Sequence, residues 1–174
     1  MADVTSSALG SVLNRGFERF LGPEGEHLCI RRHPNGLFVV SLAPSHPLLA
    51  TGKVTQVTFP TELMENEAFG KRCRGGATVN PRSLLASVAM EDGGSFNIQC
   101  PIEARLVELN DLLLEEPRLL QESPEDEGFL AILQARRPQD QPRILAKLSE
   151  SSTLAGSAET SRDLCAPRWA PEVV

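Results

Sequence analysis

Short apolar runs with a two-residue period dominate the chain from residue 27 onward. A period of two is the spacing of a β-strand, whose successive side chains point to opposite faces. Turn-forming residues, such as those of the segment His-Pro-Asn-Gly at 33–36, separate the runs. No alternation of strands with helical patterns follows, which argues against a doubly wound α/β fold. The pattern therefore predicts a mainly all-β domain, a compact sandwich or barrel. The candidate strands are 27–32, 37–43, 53–59, 77–79, 84–90, 95–100, 103–109 and 128–133.

The chain of 174 residues has the length of one folded domain with terminal extensions. Residues 1–22 carry an apolar stripe at helical spacing and are expected to form a short helix that packs on the body. Residues 23–135 hold the candidate strands and are expected to form the β domain. Residues 136–174 are expected to hold a linker, a short helix at 143–150 and a tail that is disordered, because its composition offers little apolar surface to bury.

Charge and composition exclude several classes of function. The net charge is −6 with a pI near 5.1, so binding of nucleic acid through phosphate electrostatics is not expected. No stretch reaches the roughly 20 apolar residues that span a bilayer, so no membrane association is expected. The four cysteines include no C-x-x-C pair, so neither a zinc site nor a redox motif is predicted. Four reduced thiols are the simplest reading.

The segment LVELNDLLLEEPRLLQESPEDEGFLAIL at 106–133 resembles the last part of a lipoyl-carrier domain and is most similar to the H protein of the glycine cleavage system. Such domains present one modified lysine at a hairpin tip. The spacing of the H protein places that position at Gly93, and the biotin-type Ala-Met-Lys pattern places it at Glu91. All three lysines lie outside this hairpin. The resemblance therefore implies a carrier scaffold without a lipoyl or biotinyl cofactor.

Two local features of this region can be predicted in more detail. The segment Glu-Asp-Gly-Gly at 91–94 favours a two-residue hairpin turn with positive φ. Strict alternation in 104–109 would point Val107 and Leu109 inward and Leu106 with Glu108 outward. The partners would then be Phe129 and Ala131, or Leu130 and Ile132, of the following strand. The loop between the two strands is expected at the surface, with Leu119 or Leu120 tucked beneath it.

Ser45 and His46 form the pair that most resembles a nucleophile and its base. Neighbours on a strand point to opposite faces, and no G-x-S-x-G elbow surrounds them. We therefore expect a turn in which Ser45 bonds the backbone ahead of Pro47 rather than a catalytic dyad. No enzymatic activity is predicted.

Ser45 and His46 are candidate residues of an interaction surface, and so are two charged clusters. Lys71, Arg72 and Arg74 form a small basic segment that could hold an acidic partner, although a solvated turn explains it equally well. The window 103–127 holds nine carboxylates and two arginines, which suggests one negative face that includes the Glu125-Asp126-Glu127 run. EF-hand spacing is missing there, so no metal site is predicted.

The chain as a whole resembles the Abitram family, also called Simiate, from Leu13 to Leu133. The segments that carry the resemblance are 24–53 (EGEHLCIRRHPNGLFVVSLAPSHPLLATGK), 73–77 (CRGGA), 92–110 (DGGSFNIQCPIEARLVELN) and 119–133 (LLQESPEDEGFLAIL). The resemblance implies a barrel-sandwich hybrid fold and a non-enzymatic protein that binds actin and modulates transcription. It also implies a location in the nucleus, including nuclear speckles, and in the cytoplasm. A scaffold subunit of another complex stays open as an alternative, whereas the missing lysine counts against a lipoyl-type carrier. The linker at 60–70 and the C-terminal tail depart from the resemblance.

The first testable prediction is that protein isolated from its native cells carries neither a lipoyl nor a biotinyl group. The reason is chemical, because no amide to either cofactor can form on Glu91 or Gly93. Intact-mass spectrometry checks this, and a mass increase that matches either adduct would contradict it.

Overall fold

The fold consists of two antiparallel β-sheets, which a computed structural model describes for residues 17–22, 26–65 and 76–148. One sheet has six strands in the order β1-β2-β3-β9-β8-β5, and the other has three in the order β4-β6-β7. The two sheets confirm the mainly all-β domain that the sequence predicts and the barrel-sandwich hybrid that the resemblance implies. The strands are β1 Glu18–Leu21, β2 Leu28–Arg32, β3 Leu37–Leu42, β4 Val54–Thr58, β5 Thr78–Val79, β6 Leu84–Met90, β7 Ser95–Gln99, β8 Ala104–Leu109 and β9 Ala131–Gln134.

Single-turn helices connect several of the strands. They are α1 Pro47–Ala50, α2 Thr61–Met64, α3 Leu112–Glu115 and α4 Leu119–Glu122, and a 3-10 turn follows at Pro138–Asp140. A longer helix, α5, occupies 141–148 and overlaps the segment for which the sequence predicts a short helix. Ile144 and Leu148 of this helix are buried against the core. The packed body therefore extends past residue 135, where the sequence places the end of the domain.

The N-terminal helix predicted for residues 1–22 is wrong for its last turn. Glu18–Leu21 is a strand that pairs in antiparallel fashion with Cys29–Arg32. The free edge of β2 offers backbone hydrogen bonds to this segment, and Phe20 packs against the core, so tertiary contacts outweigh a helical propensity already weakened by glycine. The rest of that helix, at 1–16, and the tail predicted to be disordered, from 149 on, lie outside the described residues.

The hydrophobic core lies between the two sheets. Each sheet contributes its inward face, with fully buried residues such as Ile30, Phe38 and Val40 from the larger sheet and Leu85 and Val88 from the smaller one. Burial of each large apolar side chain contributes about 1.5–3 kcal/mol. Because no strand in the described part of the chain is longer than seven residues, these strands depend on the shared core rather than on their own hydrogen bonds.

Strand β8 departs from the alternation that its sequence suggests. Leu106 pairs with Leu133, but the next paired residue, Glu108, already faces Ile132, so a β-bulge lies between Leu106 and Glu108. The extra residue moves Leu106 inward and leaves Val107 only half-buried. The predicted orientations of Leu106 and Val107 are therefore wrong, whereas the burial of Leu109 and the exposure of Glu108 are confirmed. The inward partners on β9 are Ala131 and Leu133, and Leu130 just before them is also buried.

The connection between β8 and β9 is held by one buried asparagine. The Nδ2 of Asn110 donates hydrogen bonds to the carbonyl oxygens of Glu127 (2.7 Å) and Phe129 (2.8 Å), which closes the loop at its base. Gly128 lies so close to the carbonyl of Leu119 that a Cβ there would overlap its oxygen, so only glycine fits. The loop is therefore a packed structure and not a free excursion.

Gln121 of α4 ties the same loop to the opposite sheet. Its Nε2 donates to the carbonyl oxygens of Leu48 (3.1 Å) and Gly52 (2.9 Å), and its Oε1 accepts from the N–H of Val54 (3.0 Å). Next to it, Leu119 and Leu120 are both buried, whereas the sequence predicts burial of one or the other. One side chain thus satisfies three backbone groups, in α1, in the turn after it and at the start of β4.

The β8 bulge yields the second prediction. Leu106→Ala should lower the free energy of unfolding by about 2–5 kcal/mol, since it leaves a cavity at a fully buried site. Val107→Ala should cost clearly less, and Glu108→Ala should stay within about 0.5 kcal/mol of the wild type. Urea melts of the three variants test this ranking. A larger loss for Val107→Ala than for Leu106→Ala would refute the bulged register.

Candidate functional site

The β6–β7 hairpin presents its tip, the position at which carrier domains hold their lysine, to solvent. Residues 91–95 are all exposed. The N–H of Gly93 donates to the carbonyl oxygen of Met90 (3.1 Å), and the N–H of Met90 donates to that of Gly94 (2.9 Å). Gly93 has a φ of +83°, and Asp92 Oδ1 accepts from the N–H of Gly94 (2.9 Å). The turn therefore has three residues and one positive φ, not the two-residue form that the sequence suggests.

The chemistry of the tip is carboxylate and glycine. Glu91 and Asp92 are exposed acids, and Gly93 contributes no side chain. A side chain at Gly93 would meet open space, but its left-handed backbone would be strained by any residue with a Cβ. Lys53 lies near the tip, because its carbonyl oxygen accepts the N–H of Glu91 (2.9 Å). In the chain, however, it precedes β4 and is not part of the hairpin. The tip itself offers no amine to a cofactor.

The Ser45-His46 pair builds a structural corner. His46 caps α1: its Nδ1 accepts the N–H of Leu48 (3.1 Å), which uses the ring nitrogen that a general base would need. Ser45 Oγ lies 3.4 Å from Nδ1 of His27 and not beside His46. The side chain that bonds the backbone here is thus His46, rather than Ser45 as the sequence suggests. Nothing in the sequence indicates that His27 lies next to Ser45.

Burial and a second histidine control the charge of His46. The ring is only 7% exposed and makes edge contacts with the rings of His27 (centroids 6.3 Å apart) and Phe96 (5.9 Å). Burial, followed by the charge of nearby His27, lowers the pKa of His46 to about 4. His46 is consequently neutral at physiological pH, which its role as a hydrogen-bond acceptor requires.

The Glu125-Asp126-Glu127 run is engaged within the domain. Glu125 Oε1 pairs with Nη2 of Arg19 (2.5 Å), and Asp126 lies 3.9 Å from Nη1 of Arg31. The carbonyl of Glu127 accepts the hydrogen bond from Asn110. These residues hold the β8–β9 connection against β1 and β2. The predicted basic segment, which contains Lys71, Arg72 and Arg74, lies outside the described residues.

The remaining reactive groups show no sign of a metal or redox centre in the ranges described. No group of three or more His, Cys, Asp or Glu residues there could hold a metal ion. Cys29 and Cys100 are free and buried, and burial raises the pKa of both thiols, that of Cys100 to about 12. Nor does any helix in these ranges have the length and apolar character needed to cross a membrane.

The fold has a solved counterpart. The chain is similar in structure to a glycine cleavage system H protein from Mycobacterium marinum, with a TM-score of 0.51, 20% identity, and coverage of 67% of this chain and 83% of that one. At this identity the likeness shows the fold alone. The two sheets and the exposed hairpin thus have a carrier-type fold, here with a hairpin tip that lacks lysine.

Sequence relatives narrow the class to a family. No family model matches the chain. It is similar to Protein Abitram of Xenopus tropicalis, with 31% identity over 154 residues that cover 83% of this chain and 78% of the relative. It is also similar to Protein Abitram of Danio rerio, with 32% identity over 143 residues that cover 76% of this chain and 81% of the relative. The chain belongs to the Abitram family.

The third prediction concerns acid stability. The unfolded chain binds a proton at residue 46 as the pH falls below about 6.5, whereas the folded chain resists protonation until the pH approaches 4. The stability present above pH 6.5 should therefore be lost through this window, by up to about 3 kcal/mol from His46 alone. Asparagine at 46 can accept the same N–H but does not titrate.

Urea melts of the wild type and His46→Asn at several pH values between 7 and 4 measure this contribution. The carboxylates titrate in both proteins, so the difference between the two curves isolates His46. Parallel curves would show that His46 is not held neutral by the fold.

Proposed function

We propose that this protein is a non-enzymatic interaction module on a carrier-type β domain. The observation that carries the proposal is the hairpin tip, which is exposed and well ordered by hydrogen bonds but holds Glu91, Asp92 and Gly93 in place of a lysine. A scaffold of this kind can meet protein partners through its surface without carrying a cofactor.

The side chains that resemble catalytic groups support a non-enzymatic role. The Nδ1 of His46 accepts a hydrogen bond that caps α1, and the lowered pKa of His46 makes it a poor base at neutral pH. Both described cysteines are buried thiols with raised pKa values, which disfavours the thiolate form that acts as a nucleophile. These side chains thus stabilise the fold, and we infer that the protein functions through contacts at its surface.

Actin is the partner that we propose, with modulation of actin assembly and of transcription-linked processes in the nucleus and cytoplasm. Membership of the Abitram family is what supports this choice. Among the candidate contact residues, Glu125 and Asp126 already pair with arginines of the domain. The basic segment of Lys71, Arg72 and Arg74 is therefore the better candidate for an acidic partner surface.

The fourth prediction is direct binding of purified protein to purified actin. The full chain should pellet with filamentous actin, in a saturable manner, and the bound fraction should fall as salt rises because surface charges are screened. Quantitative co-sedimentation measures both. Lys71→Ala/Arg72→Ala/Arg74→Ala should reduce the bound fraction several-fold, since charge complementarity contributes to encounter and register.

Arg137→Ala is the control, because it removes one exposed cation that does not belong to the basic segment. It should bind actin like the wild type. Protein that stays in the supernatant at every actin concentration would refute a direct contact with filaments. Recovery of a different stable complex from native cells would then favour the scaffold alternative.

A further inference from the structure

A cavity of about 370 Å³ lies beside α5, where the described part of the chain ends. Its buried lining residues are Pro101, Ile102, Ile144 and Leu148, so the floor of the cavity is apolar. Sites that bind ligands have volumes of roughly 300–1,000 Å³ and combine apolar walls with a few polar groups. Neither the hairpin tip nor the Ser45-His46 corner contributes to the lining, so the features described above leave this cavity without a role.

The mouth of the cavity is basic, although the chain as a whole is acidic. Arg136, Arg143 and Lys147 line the cavity and are exposed. Arg136 pairs with Glu103 (3.0 Å), but no ion pair of Arg143 is found in the described ranges. Residues 136–148 carry four cations and one acid, a formal charge of +3 within a chain of −6. The mouth therefore attracts acidic groups.

The chain continues from the wall of this cavity. Leu148, the last described residue, is 2% exposed and belongs to the lining. Residues 149–174 therefore start at the cavity, and this tether gives any segment among them an effective local concentration on the order of millimolar. They carry four acids and two arginines, a formal charge of −2 that is opposite in sign to the charge of the mouth.

One segment of residues 149–174 has the chemistry that this cavity fits. The segment DLCAPRWAPE at 163–172 contains the only tryptophan of the chain, Trp169, between Pro167 and Pro171. It also carries an acid at each end and one arginine. Prolines restrict the undocked segment, so less conformational entropy is lost when it binds. The composition of residues 149–174 predicts disorder, and a short segment of such a region can still become ordered on docking.

The side chain of a tryptophan matches three features of the cavity. Its indole ring covers apolar side chains, here those of Ile102 and Ile144 on the floor. The face of the ring attracts a guanidinium, which Arg143 offers at the mouth. The indole N–H only donates and needs an acceptor when it is buried, which the carboxylate of Asp140 on the lining can provide.

We propose that the segment 163–172 of this same chain docks in the cavity beside α5, with Trp169 on its apolar floor. The acids of the segment then face the cations of the mouth. Because the segment is tethered at Leu148, the docking is intramolecular and does not depend on protein concentration. The inference goes beyond the proposed function and does not depend on actin or on any other partner.

Intrinsic fluorescence of the full chain tests the proposal directly, because Trp169 is the only tryptophan and the chain has no tyrosine. The reference is a synthetic peptide of residues 163–172. The emission of the protein should be blue-shifted from that of the peptide, and acrylamide should quench it several-fold less efficiently, because the cavity covers the ring. Dilution of the protein by roughly tenfold should change neither value, since an intramolecular contact is independent of concentration.

Arg143→Glu should raise the acrylamide quenching of the full chain most of the way to that of the peptide. The substitution removes the guanidinium at the mouth and repels the acids of the segment. Arg137→Glu is the matched control, because Arg137 is an exposed cation of the same region that does not line the cavity. It should leave the fluorescence unchanged. Both variants change exposed side chains, so thermal melting should show that each remains folded.

Four results would each overturn the proposal. Quenching of the wild type that equals that of the peptide would show that the indole is not covered. Equal fluorescence of the wild type and Arg143→Glu would show that the indole is covered at another place. An equal effect of Arg137→Glu would indicate attraction to the general charge of the region instead of docking in the cavity. Loss of the blue shift on dilution would identify the segment of a second copy of the chain as the occupant.

Discussion

Burial of the two sheet faces against each other is the interaction on which the rest of this structure depends. Residues such as Phe38 of the six-stranded sheet and Leu85 of the three-stranded sheet are fully buried in that shared core. The strands are too short to be stable alone, so each exists because the opposite sheet covers it. The connections are packed for the same reason, since any loop that crosses from one sheet to the other must satisfy its own polar groups.

Several polar side chains that would suggest a catalytic role instead satisfy buried backbone groups or close loops. His46 and Gln121 satisfy backbone groups of α1 and β4, and Asn110 closes the long loop. The acidic residues Glu125 and Asp126 pair with arginines of the neighbouring strands. The hairpin tip at 91–95 remains exposed at the surface.

Predictions from the sequence were correct where the local residue pattern determines the structure. They were wrong where contacts with elements distant in sequence determine it. The period of two identified most of the strands, and the sequence predicted Leu119 or Leu120 beneath the loop, where both are buried. The predicted orientation of Leu106 was wrong because a one-residue bulge reverses the alternation of side chains along β8. Nothing in the sequence indicates where this bulge lies. The helix predicted at Glu18–Leu21 was wrong because this segment pairs with the edge of β2 and forms a strand instead.

The amino-acid sequence by itself determined that this chain is mainly β and that neither Glu91 nor Gly93 can form the amide of a carrier. Both conclusions depend on residue identity and spacing, which folding does not change. Only the tertiary structure decided that His46 is a neutral helix cap and that Leu113 is buried between two exposed neighbours. Burial and hydrogen-bond partners come from elements distant in sequence, and a local pattern carries no information about which of them will meet.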